Sequence, residues 1–260
     1  MLTLFAAIVL TSPADGQRTA PADPQRVKAA VAELQKAYKD GEAKDRIQAI
    51  ERASAVVDAQ VVEWVARGLR DQVEVQRSAI EALRWMDHPD ALKQLEETAR
   101  RDKRLQKEAA LYAGLLRAIG QHASASSIEI LTEELWEVRD HAVIQARILS
   151  LGRIRTPAAV EALIGLMKVA GPMKIQPFMD DFRLSLMVLT GADQDTSQEL
   201  WLHWWNDNKG KLKVEPTAPP LPRLLQLKWD YYWGKEMRKE RAPRRGERGR
   251  DDPEKGGSKG

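Results

Sequence analysis

Leu83-Arg84-Trp85-Met86-Asp87-His88-Pro89-Asp90-Ala91-Leu92-Lys93-Gln94-Leu95 is the stretch whose reading decides the fold. Leu83 and Met86 are spaced as the end of one apolar helix face, and Ala91, Leu92 and Leu95 as the start of another. Between them Asp87-His88-Pro89 breaks the chain, because proline is tolerated only in the first turn of the helix that follows. The phrase recurs at Leu151, Ile154, Pro157, Ala159, Val160 and Leu163, sixty-eight residues on, with every position keeping its type. Leu116, Ile119, Ser127, Ile128 and Leu131 repeat the frame in between, with a slightly longer turn. Val56, Ala59, Val61, Val62 and Val65 repeat it thirty residues earlier. The unit is thus about 34 residues long, which is the period of a stacked helix pair.

One such pair cannot bury its apolar face alone, so its neighbours must stack on it. The periodicity predicts helices over 24–39, 43–57, 59–70, 73–87, 89–101, 103–120, 124–137, 139–154, 157–169, 175–190 and 196–208. No stretch alternates with period two, so no strand is expected. Leu83, Met86, Leu92, Leu95, Leu151, Ile154, Val160 and Leu163 are the expected core.

Leu151-Gly152-Arg153-Ile154 followed by Pro157, Ala159, Val160 and Leu163 resembles the HEAT-repeat consensus. Val75 to Leu83 is similar to that family's second helix, with Gln76 where arginine is usual. The resemblance covers residues 43–190. It implies an all-α fold, an α-solenoid of about five antiparallel helix pairs, spanning 24–210. It also implies protein–protein interaction along the concave face. Leu189-Thr190-Gly191-Ala192-Asp193, followed by Trp201, Trp204 and Trp205, is similar to a closing segment of exported HEAT proteins of planctomycete-type bacteria.

Composition fits this reading. Charged residues are 30% of the 260 and hydrophobic ones 43%, ordinary for a chain with a sizeable core. The formal net charge of +3 is local, since Lys235–Arg250 carries eight Lys/Arg against three Glu. The absence of cysteine excludes disulfides, thiolate nucleophiles and Cys-based zinc sites. Residues 1–16 hold an apolar run, Leu2 to Leu10, and small residues at Ala14 and Gly16, which reads as a secretory signal. The run is too short to span a bilayer, which takes about 20 residues.

Residues 17–23 follow as a linker. Pro-rich 211–222 reads as a second, extended linker, 223–241 as an amphipathic helix, and 242–260 as a disordered basic tail.

Trp201 and Trp205 share one helix face. They read either as a cap closing the stack, the favoured alternative, or as an aromatic platform for a partner. Catalytic and phosphate-loop motifs are missing, and His88, His122, His141 and His203 lack metal-ligand spacing. Asp193-x-Asp195-x-Ser197 starts like a calcium loop, but Gln198 and Trp204 stand where glycine and glutamate are needed, so it reads as a turn with a helix cap.

The function expected is therefore a non-enzymatic, exported scaffold for a protein partner, with no cofactor. The alternative is a cytoplasmic nucleic-acid-associated HEAT protein using Arg46, Arg77, Lys107 and the tail; export and the lack of interleaved aromatics in the tail argue against it. A third reading, an enzyme like the HEAT-like bilin lyases, lacks any catalytic constellation.

Overall fold

The computed structural model describes residues 22–234, which fold entirely as helices and connecting turns, with no strand among them. The α-helices in chain order are α1 (Pro24–Asp40), α2 (Ala43–Ala53), α3 (Ala59–Ala66), α4 (Val73–Trp85), α5 (Pro89–Arg101), α6 (Ala109–Gln121) and α7 (Ile128–Thr132). They continue with α8 (His141–Leu151), α9 (Pro157–Val169), α10 (Pro172–Ile175), α11 (Met179–Thr190), α12 (Gln198–Asn208) and α13 (Arg223–Trp233). The signal-like segment and the tail lie outside the described residues.

Punctuation of the helices is local and chemical. Pro24, Pro89 and Pro157 each open a helix in its first turn. Asp23, Asp58, Asp140, Thr156 and Ser197 accept hydrogen bonds from backbone N–H groups that the first turn leaves unpaired. His88 caps α5 through Nδ1, which accepts from the Asp90 N–H at 3.1 Å.

The expected 103–120 helix begins later, at Ala109, after a 3-10 turn over Leu105–Lys107. The expected 124–137 helix is interrupted: Glu134 takes a left-handed conformation, φ 47°. At that break the buried Arg147 guanidinium donates to the Glu133 carbonyl and to the Tyr112 hydroxyl. A hydrogen bond from Arg147 replaces the helix-internal bond that Glu133 loses.

Packing follows a regular order. α1, α3, α5, α7, α9 and α12 contact one another in succession, as do α2, α4, α6, α8 and α11, and α1, α3, α5, α7 and α9 each also pack on their neighbour in the second row. One apolar cluster runs through the whole of this array, from Val27 to Trp205. Leu83, Met86, Leu95, Leu151, Ile154, Val160 and Leu163 are buried in it. Leu92 is not, being half-buried at the edge of the core, because its helix turns Ala91 and Leu95 inward instead.

The repeat is also written in polar contacts. Ser150 Oγ donates to the Leu116 carbonyl at 3.1 Å, and Ser185 Oγ to the Ile148 carbonyl at 3.0 Å, each on the preceding helix of the second row. Each serine faces a glycine of that neighbour. A Cβ added at Gly120 would stand 2.8 Å from Ser150 Cα, and one at Gly152 would stand 2.8 Å from Ser185 Cα. The glycine of the Leu-Gly-x-Ile phrase is there to let second-row helices touch.

Candidate functional site

The second row carries on one flank three arginines, of which Arg84 is withdrawn from water, Arg153 partly so and Arg117 the most open. Arg84 ends α4 and is buried, Arg117 lies on α6, and Arg153 follows α8. Arg84 and Arg117 each come directly after a buried repeat leucine, Leu83 and Leu116. Burial pulls the Arg84 and Arg153 guanidiniums below their ordinary value, and the charge of Arg84 adds to this for Arg153. Glu81 answers two of them, lying 3.3 Å from Arg84 and 4.0 Å from Arg117. Among the described residues no carboxylate pairs with Arg153.

α13 covers this flank. Its Trp229 and Trp233 are buried against Leu149 of α8 and Leu184 and Val188 of α11. Arg84 Nη2 donates to the Trp233 carbonyl at 3.0 Å, so the electronegative end of α13 rests on a guanidinium. Arg153 stands 4.8 Å from the Trp233 ring centre and Arg117 5.9 Å from that of Tyr232, both within cation–π range. Midway along α13 Lys228 reaches Asp181 at 3.4 Å, and Gln145 donates to the same carboxylate at 3.1 and 3.2 Å. Burial raises the Asp181 carboxyl above the usual range, and Lys228 and Gln145 oppose that rise.

The segment leading to α13 is also tied down. Arg155 donates to the carbonyls of Glu215, Val188 and Thr217 at 2.7, 2.8 and 2.8 Å. The Pro-rich stretch therefore lies along the body, with Leu212, Val214 and Leu221 half-buried against the core. The helix after it stops at Trp233, where Gly234 caps it in a left-handed conformation, φ 73°; what remains of the expected 223–241 helix lies outside the described residues.

The residues singled out in the sequence are scattered over this body. Arg46 is committed to Asp71, at 2.8 Å, and to the Gly41 carbonyl, bonds that lock α2 to the turn before α4. Arg77 is exposed on α4. Lys107 is exposed too, but in the 3-10 turn before α6 and not on a second-row helix. Trp201 has no exposed surface and Trp205 is 8% exposed, and the Trp201 Nε1–H donates to the Asp195 carbonyl at 3.0 Å. No ring face of Trp201 remains for a partner; α12 closes the first row against α9.

The Asp193 turn is held by Arg183, which bonds Asp193 at 2.7 and 2.8 Å and Asp195 at 2.9 Å. Those bonds hold the Asp193 carboxyl below its usual range. His122 Nε2 donates to the Leu83 carbonyl at 3.0 Å, and burial lowers the basicity of the ring. The described residues contain no group of three or more His, Cys, Asp or Glu side chains able to hold a metal ion, and no helix long and apolar enough to cross a membrane.

Sequence reasoning missed Arg84, Arg117, Arg153 and Asp181. The available signal was their position: a charge beside a repeat leucine, or within the tightly apolar 178–189 run, sits close to a core face and needs a partner there. A scan of protein-family models found no match to the chain, and a search of curated proteins found none either.

Proposed function

We propose that this chain is an α-solenoid of HEAT type that acts, without catalysis or cofactor, as an exported scaffold for a protein partner. The successive contacts along two helix rows support the solenoid reading, because each unit packs on the unit before and after it. The observation that carries the functional reading is α13 itself. A surface of the second row already holds an amphipathic helix through buried tryptophans, guanidiniums and a buried carboxylate. Helix-in-groove recognition is a recurrent way for proteins to bind one another.

The same geometry weighs against the nucleic-acid alternative. Arg46 is spent on Asp71, Arg84 is buried, and Arg117 and Arg153 lie against aromatic rings of α13. A phosphate backbone needs exposed, aligned cations.

The test is affinity capture with the mature exported form, its N-terminus mapped by sequencing and expected near Gln17. Reversing charge on the second row, Arg77→Glu, should lower recovery of a specific protein. The first-row control Lys93→Glu should not. Recovery of nucleic acid in place of protein, or equal loss with both variants, would contradict the proposal.

A further inference from the structure

The geometry points to α13 being an internal ligand, occupying in cis a seat whose trans occupant is an amphipathic helix with a Trp-x-x-x-Trp face and a carboxylate at its C-terminal end. This deepens the scaffold reading and rests on it.

Three observations carry the inference. The seat is charge-patterned along its length. Asp181 meets the middle of α13 through Lys228, the apolar Leu149, Leu184 and Val188 take its tryptophans, and the guanidiniums of Arg84 and Arg153 take its C-terminal end. α13 matches the pattern with Lys228, then Trp229 and Trp233, then the carbonyl end of the helix.

The match is incomplete at the basic end. Beneath Trp233 the Nε atoms of Arg84 and Arg153, and the indole N–H of Trp233 itself, are buried without a hydrogen-bond partner among the described residues. Arg84 already has Glu81, but Arg153 has no carboxylate among the described residues. A helix carbonyl offers it only a fraction of a charge, whereas a carboxylate offers a full one where water screens little. The third observation is that α13 is only half used. Leu224, Leu227 and Tyr231 form a stripe that is 78%, 42% and 78% exposed, so the seat covers one face of a helix that is apolar on two.

The unpaired donors weaken the cis contact, and tethering offsets that weakness. A short linker raises the local concentration of α13 to the order of millimolar, with no need for high intrinsic affinity. A trans helix that supplies the missing carboxylate has the differential affinity needed to displace it.

The probe is a fluorescein-labelled synthetic peptide of residues 219–234, made with a free C-terminal carboxylate and, separately, as the amide. Anisotropy titration uses the full chain and its Trp229→Ala/Trp233→Ala variant, in which the cis helix is crippled. The carboxylate peptide is expected to bind the variant about tenfold tighter than the parent. It should also bind the variant several-fold tighter than the amide does, and Arg153→Ala in the same background should erase that preference. Equal affinity for parent and variant, or no preference for the carboxylate, would overturn the inference.

If the variant loses its helical circular dichroism, hydrogen exchange of the parent decides. Amides of 223–233 should exchange well ahead of those of α8 and α11, and faster still with excess peptide; protection equal to α8 and unchanged by peptide overturns it. A scaffold that captures its partner through the second row, unaffected by this peptide, would leave the function standing and the internal-ligand inference refuted.

Discussion

Leu151 shows how much a single repeat position carries. It has no exposed surface and lies where α8 meets both rows, so Leu151→Ala should cost about 2–5 kcal/mol in a denaturant titration. Gly120 tests the opposite error, that of too much volume. An added methyl would meet the Ser150 backbone at 2.8 Å, and Gly120→Ala should cost about 1–3 kcal/mol through a forced parting of α6 and α8.

Asp181 gives the pH dependence. Its folded-state pKa is raised, chiefly by burial, so between the ordinary carboxyl value and that raised value the folded chain binds more protons than the unfolded one. Stability from this group is therefore full in acid and declines as pH rises through that window. The melting temperature of Asp181→Asn, relative to the parent, should accordingly climb across the same window and then level off. A gap that narrows with rising pH would show the carboxylate to be stabilised by its surroundings.

Much of this was legible from residues alone. The repeat leucines, the prolines in first turns and the threonine cap at Thr156 announce themselves through spacing. Arg84 and Arg153 do not, because their environment is created by α13, which approaches from about 70 residues or more away along the chain.

At the scale of elements, helices were readable wherever local chemistry ends them. Pro89 and Pro157 fix the starts of α5 and α9. The reading failed where a distant side chain does the work, as at Glu134, where Arg147 from α8 breaks the expected helix. The attachment of 215–217 through Arg155 is not legible in the sequence, since the bonds are to carbonyls, which carry no sequence identity.

α12 shows the reverse case, in which the favoured cap reading of Trp201 and Trp205 matches their burial. Trp201→Ala should cost about 3–5 kcal/mol. In a stack of nearest-neighbour contacts that loss should appear first as faster hydrogen exchange in α9 and α11, with α1 to α4 unchanged. Uniform acceleration along the chain would mean that the array unfolds as one block.

In the whole molecule, an array of helix pairs carries a surface that holds a helix. The alternation of rows follows from a period of about 34 residues, in which each unit leaves one apolar face for the next. Function was less legible than fold, because a helical architecture by itself names no chemistry. The site became visible only when α13 was seen lying on the second row.

The most direct measurement of the central claim is site-specific photo-crosslinking in the producing cell. The crosslinker replaces Arg77 on α4 in one chain and Lys93 on α5 in another, followed by mass spectrometry. The account predicts a discrete polypeptide adduct from the second-row position and none from the first. Adducts to nucleic acid, or the same polypeptides from both positions, would contradict it.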